Sequence, residues 1–105
     1  MIVTTTQEVP NKKITQVLGI ARGSTIRAKH IGKDILAGLK QFVGGELTGY
    51  TEMMNEAREE ALQRMIAHGM TLKADAIVNV KFMSAEVMQG AAEMMAYGTA
   101  VKLKK

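Results

Sequence analysis

The segment from Tyr50 to Leu72 carries an apolar residue at every third or fourth position, which is the spacing of one face of an α-helix. Glu60 precedes Arg64 by four residues, the favourable order for an ion pair within a helix. Small residues in the stripe allow close packing on a flat surface: Ala57, Ala61 and Gly69. Because such a helix needs a partner for its apolar face, the chain is predicted to place one long helix on a sheet.

Short segments on both sides of this helix predict the sheet. Ile2 to Thr6 is rich in β-branched residues and predicts a small edge strand. Alternating apolar positions predict further strands over Lys13–Arg22, Ala76–Val87 and Ala92–Leu103. One face of the strand over Ala76–Val87 is expected to hold Val78, Val80 and Phe82.

Between Gly23 and Gly49 the spacing of the apolar residues changes from that of a strand to that of a helix. An apolar stripe from Ile31 to Val43 predicts an inserted helix of about three turns, ended by Gly44 and Gly45. Gly98, within the last strand, indicates a bulge or a close backbone contact. The order of elements predicts a two-layer α+β fold with one main helix on an antiparallel-rich sheet. At 105 residues, a single domain over 1–105 is expected.

Composition excludes several classes of protein. The chain has no cysteine, so it forms no disulfide and no thiolate-based metal or nucleophilic site. Its start lacks a basic, apolar signal sequence, and no stretch approaches the roughly 18 apolar residues of a membrane helix. A soluble, cytoplasmic protein without membrane contact is expected.

The net charge of +4 is unevenly distributed. Residues 1–45 carry seven basic and two acidic side chains, whereas residues 46–63 carry five acidic side chains and one arginine. The basic segment 22–33 could attract nucleic acid, but two Phe, two Tyr and no Trp supply few stacking partners, so nucleic acid is disfavoured as a partner. Zones of opposite charge on one small chain suit self-association.

Candidate metal ligands are few. His30 and His68 are the only histidines, and neither has the spacing of a metal motif. Nine methionines offer thioethers, the soft ligands that suit Cu(I), and three of them lie near one hairpin: Met88, Met94 and Met95. Methionine also fills irregular cores and adaptable interfaces, and this interpretation is favoured. A divalent or heavy-metal ion is left open as a cofactor.

Other chemistry-bearing groups do not form a recognised catalytic motif. Glu56, Glu59 and Glu60 crowd one helical segment, where carboxylates usually form the solvated face. No Ser/His/Asp order, P-loop or dinucleotide fingerprint occurs. The segment 22–25, followed by Arg27 and Lys29, could form an anion-binding loop, for which the alternative is a flexible basic loop.

A set of short motifs in a fixed order resembles the YbjQ family over essentially the whole chain. The motifs are Val43-Gly44-Gly45, Tyr50, Ala57-Arg58-Glu59, Ala74-Asp75-Ala76-Ile77-Val78 and Gly98-Thr99-Ala100-Val101. This resemblance implies a dodecin-like βαββ subunit that assembles into a homopentameric ring. The family is labelled heavy-metal-binding, and the resemblance assigns no catalytic residue to this chain.

Two local expectations follow from the resemblance. The family pattern has glycine where this chain has Lys73, so Lys73 is predicted to adopt a positive φ at the end of the helix. Arg58 and Glu59 are predicted to be less solvated than their neighbours, with Asp34 or Asp75, of this or an adjacent subunit, as the partner of the arginine.

Three hypotheses about function remain. The favoured one is a non-catalytic, ring-forming homo-oligomer that binds a metal ion or small ligand at subunit interfaces. Its candidate ligand or interface residues are Arg22, Asp34, Arg58, Glu59 and Asp75, with His30 and His68 as weak metal candidates. The alternatives are an enzyme whose site is completed between subunits and a nucleic-acid-binding ring that uses segment 22–33.

Overall fold

The computed structural model describes residues 1–28 and 48–105. These residues form one helix and four strands, in the order β1 (Ile2–Val3), β2 (Lys13–Ala28), α1 (Thr48–Thr71), β3 (Ala76–Met88) and β4 (Ala91–Lys104). The predicted insert helix over 31–43 lies outside the described residues. So do two of the candidate residues, His30 and Asp34. Within the described residues, no helix is long and apolar enough to cross a membrane.

The strands form one mixed sheet in the order β1-β3-β4-β2. β1 pairs in parallel with β3, and the other two pairings are antiparallel, as the prediction of an antiparallel-rich sheet requires. β1 is shorter than expected, but the backbone of Thr4 and Thr6 still bonds to β3 at Ile77, Asn79 and Val80. The α+β class and the edge position of the first strand are confirmed.

Strand β2 continues six residues beyond the predicted end at Arg22. Every residue from Arg22 to Ala28 has a partner in β4, from Tyr97 back to Ala91. The prediction of a basic, anion-binding loop beginning at Arg22 is therefore wrong, because residues 22–28 are strand. The sequence pattern places the end of the strand just before Gly23. Gly23 lies instead inside the strand, where glycine is needed because the helix packs directly on it.

Close contact between α1 and the sheet rests on small residues. A Cβ atom added to Gly23 would lie 2.2 Å from the backbone nitrogen of Met65 and 2.4 Å from the carbonyl oxygen of Ala61. Alanines from both layers form most of the buried core here: Ala21, Ala57, Ala61, Ala96 and Ala100. The small stripe predicted from the sequence is thus the surface by which the helix approaches the sheet.

A bulge in β3 changes the faces assigned from simple alternation. The register with β4 shifts between Val78 and Lys81, and Asn79 has a φ of 56°. As a result, Val80 joins the core beneath the helix, whereas Val78 belongs to a second cluster. The prediction that these two valines share a face is wrong, because a bulge adds one residue to the strand. The predicted close backbone contact of Gly98 is confirmed: an added Cβ would lie 2.9 Å from the carbonyl oxygen of Val78, and 2.7 Å from Ile77 Cγ2.

The end of α1 is a Schellman motif. The N–H of Lys73 donates to the carbonyl of Met70 at 3.0 Å, and the N–H of Ala74 donates to the carbonyl of Gly69 at 3.1 Å. Lys73 has a φ of 61°, which confirms the predicted positive value.

Candidate functional site

One face of the sheet carries α1. The other face is here called the helix-free face, because no helix among residues 1–28 and 48–105 lies on it, and those residues leave it mostly uncovered. Near β1 it holds a small cluster in which Val9 packs with Ala76, Val78 and Val101. Farther along, large apolar side chains are exposed: Ile20 to 66%, Ile26 to 61% and Met83 to 54%. Single exposed apolar residues are common on proteins, but a group on one face marks an interaction surface.

The outer half of β3 is also uncovered on the helix side. α1 lies over β2 and β4, and every residue of β3 from Lys81 to Met88 is exposed. A shallow groove results between α1 and β3, lined by Arg58, Met94 and the strand segment 82–84. Within the described part of the chain, this groove is the place where a candidate site residue, Arg58, adjoins exposed apolar side chains.

Side chains of α1 close the outer edge of β2. Nδ1 of His68 accepts the backbone N–H of Arg22 at 3.1 Å, and Nη1 of Arg64 donates to the carbonyl of Ser24 at 2.6 Å. A backbone N–H can only donate, so Nδ1 of His68 carries no proton in this arrangement. His68 therefore has a structural role at this edge, which occupies one of the two nitrogens by which it could bind a metal.

Glu60 lies at the centre of a charged network that links the helix to β2. Its carboxylate forms ion pairs with Arg27 and Arg64 and accepts a hydrogen bond from Thr25 at 3.1 Å. Glu56 extends the network to Arg27 at 3.3 Å. The hydrogen bond from Arg27 is the main cause that lowers the pKa of Glu60 below its ordinary value of 4.5. Sequence reasoning identified the helical pair Glu60–Arg64 but missed Arg27 and Thr25, which are more than 30 positions away.

Asp75 anchors the end of β4. Its Oδ2 accepts the backbone N–H of Leu103 at 2.9 Å, and Oδ1 lies 3.6 Å from Lys102 Nζ. The hydrogen bond from Leu103 is the main cause that lowers the pKa of Asp75, with Lys102 and Lys12 adding positive charge. Asp75 is thus paired within the sheet, and within one chain it is not the partner of Arg58.

The remaining candidates do not meet in one chain. Arg58 donates to Asn55 at 2.6 Å and Glu59 accepts from Gln63 at 3.0 Å, and both lie on the exposed side of the helix. The expected shielding of these two residues is therefore absent within one chain. Arg22 is exposed in β2. The helix continues for about 20 Å from Arg58 to its end at Thr71, and Asp75 lies beyond that end.

Comparison with known proteins identifies the family. A family model described as "putative heavy-metal-binding" matches residues 1–104. The chain belongs to the YbjQ family. UPF0145 proteins of Archaeoglobus fulgidus and Methanosarcina acetivorans are 57% and 58% identical to it, over 99% and 98% of this chain and 96% and 97% of their own lengths. A UPF0145 protein of Clostridioides difficile is 58% identical over 99% of this chain and 93% of its own length.

A solved structure shares the fold of this YbjQ family member. It is a protein of unknown function from Pediococcus pentosaceus, assigned to the DUF74 family. The match has a TM-score of 0.63 and 17% sequence identity, and it covers 99% of this chain and 98% of the other.

The heavy-metal description of the YbjQ family can be tested against the donors present. Among residues 1–28 and 48–105, no group of three or more His, Cys, Asp or Glu side chains lies close enough to hold a metal ion. The chain has no cysteine at all. Tight zinc sites use three or four such ligands, so the described residues of one chain do not fit a zinc-type site.

Proposed function

We propose that this protein is a self-assembling, non-catalytic cytoplasmic protein that binds a small ligand or metal ion at the interfaces between its copies. The observation that supports this most strongly is the outer half of β3. Phe82, Met83, Val87 and Met88 are exposed there to between 44% and 67%. Burial of such apolar side chains between copies stabilises an assembly by roughly 25 cal/mol for each Å² of apolar surface removed from water.

The edge of β3 supports assembly through strand pairing. β1 and the following residues bond to β3 only as far as Val80. From Lys81 to Met88, no described strand pairs with the outer side of β3. Unpaired strand edges attract another chain unless charges, proline or bulges protect them. This segment carries two charges, Lys81 and Glu86, no proline, and one register shift near its end, between Glu86 and Met88. The edge of β2, in contrast, is closed at residues 22–24 by His68 and Arg64.

A second copy of the chain is the proposed occupant of this edge. Contact between unlike surfaces closes into a ring when the rotation between copies allows it. The acidic zone over 46–63 and the basic zones on either side of it in the sequence supply complementary charge for such contacts. The family resemblance favours five copies. In this arrangement, the groove beside Arg58 would become enclosed at an interface and would form the ligand site.

Light scattering on a size-exclusion column tests the assembly. Five copies of 11.4 kDa give a mass of about 57 kDa. Val87→Glu places a charge on the exposed end of β3 and is expected to lower the mass. Met70→Glu is the matched control, because Met70 is at least as exposed as Val87 but lies on α1. A monomer of about 11 kDa at every concentration would overturn the proposal.

A further inference from the structure

We propose that Met83 and Met95 form a thioether site for one monovalent soft metal ion, of the Cu(I) or Ag(I) class, on the helix-free face. This inference goes beyond the proposed function, because it places a metal site within one chain, on the face of the sheet opposite the groove beside Arg58. It resolves the mismatch between the heavy-metal description of the family and the absence of a His, Cys or carboxylate cluster in the described residues.

The register of the sheet brings the two methionines together. Met83 of β3 is the direct partner of Met95 of β4. Opposed residues of an antiparallel pair point to the same face, with Cβ atoms about 5 Å apart. Metal–sulfur bonds of about 2.3 Å would place two sulfur ligands about 4.6 Å apart on opposite sides of an ion. Methionine has three rotatable bonds, so both sulfurs can reach a shared ion without movement of the backbone.

The burial of Met94 shows on which face of the sheet Met83 and Met95 lie. Met94 is buried in the core beneath α1. Met95, the next residue in the strand, therefore points to the helix-free face, and its partner Met83 does the same. Met83 is 54% exposed and Met95 is partly exposed, so an ion can reach both sulfurs.

The other seven methionines have different environments. Three are buried and fill the core: Met53, Met65 and Met94. Met54 packs against the edge of that core. Met1, Met70 and Met88 are exposed, but Met70 is on the helix and Met88 faces Ala91 across the hairpin. Among the register pairs of the described strands, Met83–Met95 is the one that joins two methionines.

Charge around the pair favours a monovalent ion. Thioethers are neutral ligands, so they do not offset the cost of removing a divalent ion from water. The neighbouring row of the same face holds Arg22 and Lys81 on either side of Tyr97, and their positive charge disfavours a second positive charge on the metal. Glu93 lies in the row on the other side and supplies one negative charge nearby.

Titration of the whole protein with Ag(I) in chloride-free buffer tests the site. With the methionine methyl groups labelled with ¹³C, the signals of Met83 and Met95 are expected to shift together and to stop shifting at one Ag(I) per chain. Met83→Leu and Met95→Leu keep the side-chain volume and remove one sulfur each. Each variant is expected to weaken Ag(I) binding at least tenfold, whereas Met70→Leu, the exposed control, leaves it unchanged. Zn(II) is expected to shift neither signal.

The site is overturned if both leucine variants bind Ag(I) as the unaltered protein does, or if the Met83 and Met95 signals stay fixed when Ag(I) is added. The mass of the same samples separates this result from the proposal of assembly. A ring that does not bind Ag(I) removes only the site. A monomer in which both methyl signals shift removes only the assembly and leaves the site in place.

Discussion

The backbone N–H of Arg22 donates a hydrogen bond to Nδ1 of His68 across 3.1 Å, 46 positions apart in the chain. This contact ties the last part of α1 to the outer edge of β2. Together with the bond from Arg64 to the carbonyl of Ser24, it satisfies backbone groups that an edge strand leaves open. One of the two candidate metal-binding histidines thus acts as a cap on the sheet.

Replacement of His68 tests this capping role. His68→Ala removes the acceptor and is expected to lower the free energy of unfolding by about 1 kcal/mol. The side-chain oxygen of asparagine can occupy the position of Nδ1, so His68→Asn is expected to lose less than half as much. Urea unfolding of the three proteins measures the difference. Equal losses in the two variants would show that the hydrogen bond contributes nothing.

The low pKa values of Glu60 and Asp75 predict sensitivity to acid. Each carboxyl has a lower pKa in the folded chain than its ordinary value of 4.5 or 3.8. Their contribution to stability is therefore complete above those ordinary values, and it is lost as the pH falls through the lower, folded values. Thermal unfolding from pH 7 to pH 2 is expected to show a steep loss of stability at the acidic end.

Glu60→Gln isolates one part of this acid sensitivity. The variant leaves Arg64 without its charged partner and Arg27 with Glu56 alone, so it is expected to be less stable than the unaltered protein at pH 7. Its stability should also fall less steeply in acid. Glu52→Gln is the control, since Glu52 is an exposed acid of the same helix with no ion pair among the described residues. If both variants show the same acid profile, the network around Glu60 does not contribute.

Gly23→Ala is expected to destabilise the fold by about 3 kcal/mol, because overpacking against fixed atoms forces the backbone to move. The atoms that the new Cβ would meet belong to the backbone of Met65 and Ala61. Gly69→Ala is the comparison: its new Cβ would meet side-chain rather than backbone atoms, Cδ1 of the buried Ile77 at 2.7 Å, and alanine favours the helix, so a smaller loss is expected. Chemical denaturation compares the two, and a fully stable Gly23→Ala variant would contradict the close packing described above.

Lys73→Gly is expected to stabilise the protein by about 0.5 kcal/mol. A non-glycine residue in the left-handed region costs roughly 1–2 kcal/mol, and the greater freedom of glycine in the unfolded chain offsets part of that gain. Lys73→Ala removes the same side chain but keeps the strain, so its stability should stay close to that of the unaltered protein. A lower melting temperature for the glycine variant would refute the strain at this position.

Local patterns were sufficient for several parts of this fold. The helical stripe from Tyr50 to Leu72 matches α1 within two residues at its start and one at its end, because a 3.6-residue period is a property of neighbouring positions. Among the candidate residues, His68 lies in the last turn of that helix and Asp75 directly precedes β3, but their partners Arg22 and Leu103 could not be predicted from spacing.

The sequence by itself determined the long helix, its small contact surface and the approximate positions of the strands, since each depends on residues adjacent in the chain. The resemblance to the family added the left-handed turn at Lys73. Tertiary structure alone decided that β2 passes through Gly23 and that a bulge separates Val78 from Val80. It also placed Arg27 beside Glu60 and Met83 opposite Met95. The physical reason is that strand register and packing join residues distant in the chain. Their pairing depends on how layers fit together rather than on any local period.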